Sequence, residues 1–163
     1  MRSPKSQGYV RLNIRFFSYG SVLSTYVLTL IGGFVSASGS GLACPDWPTC
    51  HGQVLPILSG PVLVEFSHRL SALVVTLFVT ATLLIAWRAY RESRGILVLS
   101  TASFVLLLAQ IFLGMVTVKS ELNSIVTTAH LGLATGVFGA VLSNAILVNS
   151  QQQKDTIPQR VIA

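Results

Sequence analysis

The sequence predicts an all-α integral membrane protein, a bundle of four transmembrane helices, and two observations lead to that prediction. Composition is the first: of 163 residues, 52% are hydrophobic and only 10% are charged. With a mean hydropathy of +0.69, the chain is too apolar for a soluble domain of this length. The second is that the apolar residues form four long runs, each near the roughly 20 residues that cross a hydrocarbon core about 30 Å thick.

We predict the four spans within a transmembrane domain at residues 16–150, placing them at 16–38, 62–87, 95–118 and 124–148. The first and third runs carry no charge, and the first is longer than the apolar segment of a signal peptide, so we expect it to remain as a span. The second run carries Glu65, His68 and Arg69 near its start, and the fourth carries one histidine.

Lysines and arginines indicate the orientation of the bundle. They are concentrated in segment 1–15, in the short connection between the second and third spans, and in segment 151–163. By the positive-inside rule these regions are cytoplasmic. Both termini therefore lie on the cytoplasmic side of the cell membrane, and residues 39–61 form an extracytoplasmic loop. We expect both terminal segments to be loosely ordered. The net charge of +6 does not indicate nucleic acid, because no basic patch interleaved with aromatic residues accompanies it.

A weak internal repeat runs through the four spans. The stretch "LIGGFVSASG" near the end of the first span is similar to "IFLGMVTVKS" near the end of the third, and a histidine follows each on the next span. A helix pair with a histidine on its second helix is therefore the predicted repeating unit. Glycines in these spans allow either close helix packing or room for a flat ligand, and they are Gly32, Gly33, Gly114, Gly132, Gly136 and Gly139.

Two histidines lie inside predicted spans, where ionisable side chains are costly and therefore indicate function. His68 and His130 each follow the outer end of a span by a few residues, about 8–12 Å below the surface at 1.5 Å per residue. Two neutral imidazoles at one depth of a bundle can be the axial ligands of a haem. A hydrogen bond between helices is the alternative role, and zinc or non-haem iron would need three or four protein ligands.

Glu65 lies three residues before His68 and therefore on the same face of the helix. A partly desolvated carboxylate there can exchange protons with a substrate held against a haem. Arg69, four residues after Glu65, has two interpretations that remain open. It can form an internal salt bridge with Glu65, or it can reach a haem propionate by snorkelling.

Both cysteines of the chain, Cys44 and Cys50, lie in the stretch "GLACPDWPTCHG" of the predicted outer loop, where disulfides persist. A disulfide over so short a loop stabilises little by loop-closure entropy, roughly 2 kcal/mol. A structural disulfide and a redox pair that cycles between dithiol and disulfide therefore both remain open. Trp47 is typical of an interfacial anchor, and His51 is typical of a solvated loop residue.

The runs "SGSGLACPDWPTCHG", "EFSHRLSAL" and "TTAHLGLATG" occur in this order with matching membrane sidedness. Together they resemble the haem A synthase family of membrane oxidases, which serve cytochrome oxidase assembly. The resemblance covers about residues 15 to 150. Usual family members have eight transmembrane helices in two similar halves, and this chain is most similar to the amino-terminal half.

The resemblance implies that the C8 methyl group of haem O is oxidised to the formyl group of haem A, with haem b as a cofactor. It also implies roles for five residues: His68 and His130 as axial iron ligands, Glu65 in catalysis, and Cys44 with Cys50 as a redox or disulfide pair. Arg69 is the further cofactor-binding candidate, through the propionate contact described above. Haem O synthase and an electron donor, a quinol or a thioredoxin-like protein, are the implied partners beside the lipid bilayer.

One half offers a single histidine pair, whereas the family separates a substrate haem site from a cofactor haem site. We therefore predict that two or more copies associate as a homo-oligomer. Two other functions stay open as alternatives. A haem carrier or electron-transfer cytochrome would use the same histidines, and a quinone-linked thiol oxidoreductase would use the cysteines but generally shows a CxxC motif. A merely structural subunit is disfavoured by the matched histidines.

Overall fold

The computed structural model describes residues 4–156, with side chains from Ile14 to Lys154. This part of the chain folds into four α-helices and one turn of 3-10 helix at Ser40–Leu42, without a β-strand. The helices are α1 (Pro4–Ala37), α2 (Gly60–Ala89), α3 (Arg94–Lys119) and α4 (Ser124–Thr156). All four are long and apolar enough to cross a membrane, which confirms the predicted all-α, four-span fold.

The helices continue beyond the predicted spans. α1 begins inside segment 1–15 and α4 continues into segment 151–163, where the sequence predicted loosely ordered chain. At the end of α4, Ser93 Oγ donates to Oε1 of Gln151 at 2.6 Å and Gln152 Nε2 donates to the Tyr90 hydroxyl at 3.2 Å. Gln and Lys are also good helix formers, so polar composition alone does not end this helix. Residues 1–3 and 157–163 lie outside the described residues.

Local chemistry explains where the helices begin. Pro61 stands in the first turn of α2, where a missing N–H costs nothing. Asn123 caps α4, because its Oδ1 accepts the backbone N–H of Ile125 at 3.1 Å. The turn between α3 and α4 packs against the 3-10 helix, since a β-carbon added to Gly41 would lie 3.2 Å from the Leu122 side chain. Both connections therefore share one end of the bundle, called the disulfide end below.

The helices are arranged as a ring. Each packs against its neighbours in sequence, and α4 closes the ring against α1. The two pairs of the predicted repeat, α1 with α2 and α3 with α4, make the most extensive contacts. The second helices of the two pairs, α2 and α4, consequently lie on a diagonal and face each other across the bundle axis.

Two apolar clusters fill the interior. One contains Val75, Val79, Leu107, Val137 and Val141. The other contains Ile14, Ala86, Ile96 and Val148, at the end away from the disulfide. Because lipid tails are as apolar as these side chains, close packing and buried polar contacts, rather than the hydrophobic effect, hold the helices together. Small and β-branched residues in both clusters suit such packing.

Candidate functional site

The two cysteines form a disulfide. Cys44 and Cys50 are both 0% exposed although they lie outside the long helices. The chain reverses directly after the second cysteine, because the backbone groups of Cys50 and Gln53 exchange two hydrogen bonds of 3.0 Å. The structure has the oxidised form of the pair, which both roles left open by the sequence include, in a compact loop.

The carboxylate of Asp46 organises this loop from within. It accepts hydrogen bonds from the Thr49 hydroxyl and from the backbone N–H groups of His51 at 2.6 Å and Gly52 at 2.9 Å. The Thr49 hydroxyl, and after it the Gly52 amide, hold the pKa of the Asp46 carboxyl well below its usual range. The His51 ring folds back and its Nε2 donates to the carbonyl of Ala43 at 2.9 Å.

Arg69 joins α2 to the disulfide loop. Its guanidinium donates from Nη2 to the carbonyl of Cys44 at 2.7 Å, and from Nη1 to the carbonyls of Asp46 at 2.7 Å and Thr49 at 2.6 Å. Its Nε donates to Oε1 of Glu65 at 2.9 Å. The side chains of Arg69 and Glu65 are only 12% and 6% exposed. Four of the five N–H groups of an arginine are thus used in a mostly buried setting.

The salt bridge between Glu65 and Arg69 is one of the two interpretations that the sequence offered. The other interpretation was a haem propionate as partner of Arg69. One N–H group of the guanidinium remains for that contact. Sequence reasoning missed the three carbonyl partners of Arg69 entirely. Those carbonyls precede Arg69 by 20 to 25 residues, and no local spacing rule relates a side chain to backbone groups at such a distance.

The two intramembrane histidines lie at similar depths on the diagonal helices. His68 is the ninth residue of α2 and His130 the seventh of α4, which places them about 9–12 Å from the helix starts at the disulfide end. Within the described part of the chain, the Nδ1 atoms of both rings are buried and have no hydrogen-bond partner. Leaving a buried polar nitrogen without a partner is costly, so each of these two atoms calls for an explanation.

Each imidazole rests against a glycine of the preceding helix. A β-carbon on Gly32 would lie 3.0 Å from Cε1 of His68, and one on Gly114 would lie 3.1 Å from Cε1 of His130. The repeat alignment in the sequence pairs Gly114 with Gly33 instead, but nothing lies within 4 Å of a β-carbon there. The contacts with the histidines therefore pair Gly114 with Gly32, one residue away from the pairing in the sequence alignment.

Gln110 of α3 is a site residue that sequence reasoning missed. Its Nε2 donates to the carbonyl of His130 at 3.1 Å and lies 3.3 Å from the Nε2 atom of the same ring. Because an amide nitrogen only donates, this contact makes Nε2 of His130 an acceptor and places the ring hydrogen on Nδ1. Among the described side chains, no amide makes the corresponding contact with His68. The available signal was an amide in an otherwise apolar span, where polar groups must find partners.

The donor set suits haem iron, which takes neutral imidazoles as axial ligands. Both rings lie at similar depth on diagonal helices, and each adjacent glycine makes room for the imidazole where a side chain would displace it. Between residues 14 and 154, no cluster of three or more His, Cys, Asp and Glu side chains is placed to hold a metal ion. A tetrahedral zinc site needs such a cluster, whereas a haem, which brings four nitrogens of its own, needs only the histidine pair.

The chain is similar to known proteins along most of its length. It matches the cytochrome oxidase assembly protein family, COX15-CtaA, over residues 15–62 and 58–162. It is 33% identical over 144 residues to the haem A synthase of Bacillus pumilus, an alignment covering 83% of this chain and 46% of the relative. For the haem A synthase of Geobacillus thermodenitrificans the identity is 33%, covering 83% and 42%. For that of Symbiobacterium thermophilum it is 34%, covering 76% and 40%. The chain therefore spans somewhat less than half the length of these relatives.

Proposed function

The chain belongs to the cytochrome oxidase assembly protein family, and on that premise we propose that it acts as a haem A synthase. The proposed reaction oxidises the C8 methyl group of haem O to the formyl group of haem A. One observation carries this proposal: two imidazoles at similar depth on diagonal helices, each packed on a glycine of the preceding helix. Relatives named haem A synthase support the same function at the level of the family.

His68 and His130 are the proposed axial ligands of haem b. A bound haem supplies the electron transfer and oxygen chemistry that the methyl oxidation requires. The chain supplies two nitrogen donors, and Arg69 has one N–H group left for a propionate. If His130 binds through Nε2, Gln110 gives up its contact with that atom and keeps the one with the His130 carbonyl.

Glu65 is the proposed catalytic carboxylate. Its Oε1 is held by Arg69, so Oε2 is the atom at which a proton can be exchanged with the substrate. The residue is 4% exposed, and a carboxylate with so little water around it is effective in proton transfer. Arg69 fixes the rotamer of Glu65 and thereby directs Oε2.

A homo-oligomer is part of the proposal, because a single chain provides one histidine pair. The surface of α4 supports it, since small residues at helical spacing form an exposed stripe on this helix. They are Ala129, Gly132, Gly136, Gly139 and Ser143. No atom lies within 4 Å of a β-carbon built on any of the three glycines. Small residues on a lipid-facing surface allow the close approach of a second helix.

The proposed location is the plasma membrane, with the disulfide end outside. The distribution of lysine and arginine supports this orientation. In that position the disulfide loop faces the compartment of a thioredoxin-like electron donor, a quinol can reach the bundle from the bilayer, and haem O can arrive from its own synthase within the membrane.

The proposal is tested by pigment analysis of cells that make haem O but no haem A. The chain is expressed in such cells, purified in detergent, and its haems are extracted with acid and separated by chromatography. We expect low-spin bands in the optical spectrum and haem A in the extract, and we expect His68→Ala and His130→Ala to lose both. A colourless protein from haem-replete cells would overturn the proposal.

A further inference from the structure

We propose that Arg69 is a positioning residue that couples the state of the Cys44–Cys50 disulfide to the Glu65 carboxylate. The coupling depends on contacts that the chain makes with itself, so it does not require a haem. Its consequence for catalysis, through the direction of the Glu65 side chain, rests on the proposed function.

All three carbonyls that bind Arg69 belong to the ring that the disulfide closes. Cys44, Asp46 and Thr49 lie within residues 44–50, and their oxygens meet on one guanidinium at 2.6–2.7 Å. A closed ring of this size restricts the backbone and keeps the three carbonyl oxygens close together. In the open dithiol form the same backbone can adopt conformations in which they are apart. The guanidinium therefore binds the disulfide form of the loop in preference to the dithiol form.

The fourth acceptor of Arg69 lies outside the ring. Glu65 on α2 accepts the Nε hydrogen at 2.9 Å. Hydrogen bonds that involve a charged group are stronger than neutral ones, and removing one partner of a buried ion pair leaves the other charge without compensation. The planar guanidinium of Arg69 thus binds both the loop carbonyls and the Glu65 carboxylate. A change in its contact with the loop therefore affects its contact with Glu65, and the reverse.

Reduction of the disulfide would break this arrangement. A dithiol reductant transfers two electrons and two protons, the bond between the two sulfur atoms breaks, two thiols form, and the reductant becomes a disulfide. The loop can then open, and Arg69 loses acceptors that the closed ring supplied. Because coupling between two sites is reciprocal, a change at Glu65 must shift the dithiol–disulfide equilibrium even though Glu65 is not part of the loop.

The test is an equilibrium titration of the purified full-length protein with dithiothreitol, in which free thiols are counted by a gel shift with a maleimide polymer. We expect Arg69→Gln to favour the dithiol at least tenfold, about 30 mV for a two-electron couple, and Glu65→Gln to favour it severalfold. In the double variant we expect no shift beyond that of Arg69→Gln. The matched control is Arg91→Gln, because Arg91 follows the far end of α2 and donates to the carbonyl of Trp87.

Unchanged equilibria in Arg69→Gln, or effects of the two substitutions that simply add, would overturn the coupling. Arg69→Lys keeps the charge but not the fork of donors, so we expect an intermediate shift. Circular dichroism and gel filtration show that each variant is folded before it is titrated. The assay counts thiols and does not depend on haem content, so its failure is distinguishable from failure of the proposed function.

A second, independent inference comes from a polar cluster in the half of the bundle away from the disulfide. Every helix contributes to this cluster, and each member is at most 3% exposed. Its members are Ser18, Ser21, Thr82, Ser100, Ser103 and Asn144. Together with Val79 and Val141 they line a cavity of about 10 Å³, close to the smallest volume that holds one water.

The polar groups around this cavity do not complete one another's hydrogen bonds, since several of their oxygens are acceptors and, among the hydroxyls, only that of Ser100 keeps a hydrogen to donate. Asn144 Nδ2 donates to Ser100 Oγ at 3.0 Å, but Asn144 Oδ1 has no partner within the described residues. The hydroxyls of Ser21, Thr82 and Ser103 donate to carbonyls of their own helices, so towards the cavity they can only accept. A water molecule has the two hydrogens that these acceptors need. We infer that the cavity holds one ordered water that bridges Asn144 to the neighbouring helices.

Pulsed hydroxyl-radical footprinting tests for this water, because radicals made from a bound water label the side chains beside it. We expect oxidation at Val79 and Val141, which are each only 2% exposed. Val75 and Val137 are buried to the same degree but do not line the cavity, so they serve as controls and should stay unlabelled. Absence of label at Val79 and Val141, while exposed side chains react, would overturn the inference. Asn144→Leu should abolish the label at both valines.

Discussion

Gly114 lies directly against the imidazole of His130, so that a β-carbon on this glycine would sit 3.1 Å from Cε1 of the ring. This separation is shorter than ordinary van der Waals contact. The same relation holds between Gly32 and His68. The position of each proposed iron ligand is therefore set by the absence of a side chain on the neighbouring helix.

The first prediction concerns these glycines. We expect Gly32→Ala and Gly114→Ala to displace the imidazoles and to lower the haem content of the purified protein severalfold, as measured by a pyridine haemochrome assay. Gly33→Ala is the control, because a methyl group there meets no atom within 4 Å. By helix propensity the control should be neutral or stabilising, by up to about 1 kcal/mol. Equal haem loss in all three variants would contradict this account.

Gln110 supplies the second prediction. In Gln110→Leu the Nε2 atom of His130 loses its amide contact and is free for iron. We expect haem to bind about fivefold tighter to the apoprotein, the equivalent of one net hydrogen bond of about 1 kcal/mol. Spectroscopic titration with haem measures this affinity, and Gln153→Leu on the exposed surface of α4 is the control. Weaker binding would show that Gln110 holds the ring for the iron rather than competing with it.

The third prediction concerns Glu65. In Glu65→Gln the two proposed haem ligands, His68 and His130, remain, so we expect normal haem content and optical bands. Product formation should fall by about 10²–10⁴-fold, the usual contribution of general acid–base catalysis. Chromatography of the extracted haems measures the ratio of haem A to haem O. Undiminished haem A would remove Glu65 from the chemistry, and a wild-type protein that holds only haem b would favour a haem carrier.

The fourth prediction follows from the lowered pKa of Asp46. A carboxyl with a depressed pKa in the folded state stabilises the loop fully above its unfolded value, about pH 4. That stabilisation is lost as the pH falls below this value. We therefore compare the rates at which a phosphine reductant opens the disulfide in the wild-type protein and in Asp46→Asn. The ratio of the wild-type rate to the variant rate should be higher at pH 2 to 3 than at pH 6. A constant ratio of the two rates from pH 2 to 6 would contradict the role of Asp46.

The fifth prediction tests the proposed association of chains through α4. Gly136→Leu places a large side chain in the stripe of small residues, and we expect native mass spectrometry to show monomers and synthase activity to be lost. Gly33→Leu introduces the same side chain at an equally open position of α1 and should leave the oligomer intact. Fully active wild-type protein that is monomeric would rule out the oligomer.

The amino-acid sequence by itself determined the features that depend on hydropathy and local spacing. Four spans, the cysteine pair in the one long loop, and two histidines at similar depth can all be located along the chain, because a membrane restricts helix length and ionisable residues within it. The pairing of Glu65 with Arg69 can also be predicted from the sequence alone, since a separation of four residues brings side chains together on any helix.

Tertiary structure decided which groups meet across helices. Neighbouring residues of a helix differ by about 100° in direction, so a weak repeat cannot choose between Gly32 and Gly33, whereas packing places only Gly32 against His68. The contact of Gln110 with His130, and of Arg69 with carbonyls in the disulfide ring, likewise depends on how the helices are rotated and how the loop returns over them. Such contacts arise only when the whole bundle is assembled, because each joins segments that no local rule relates.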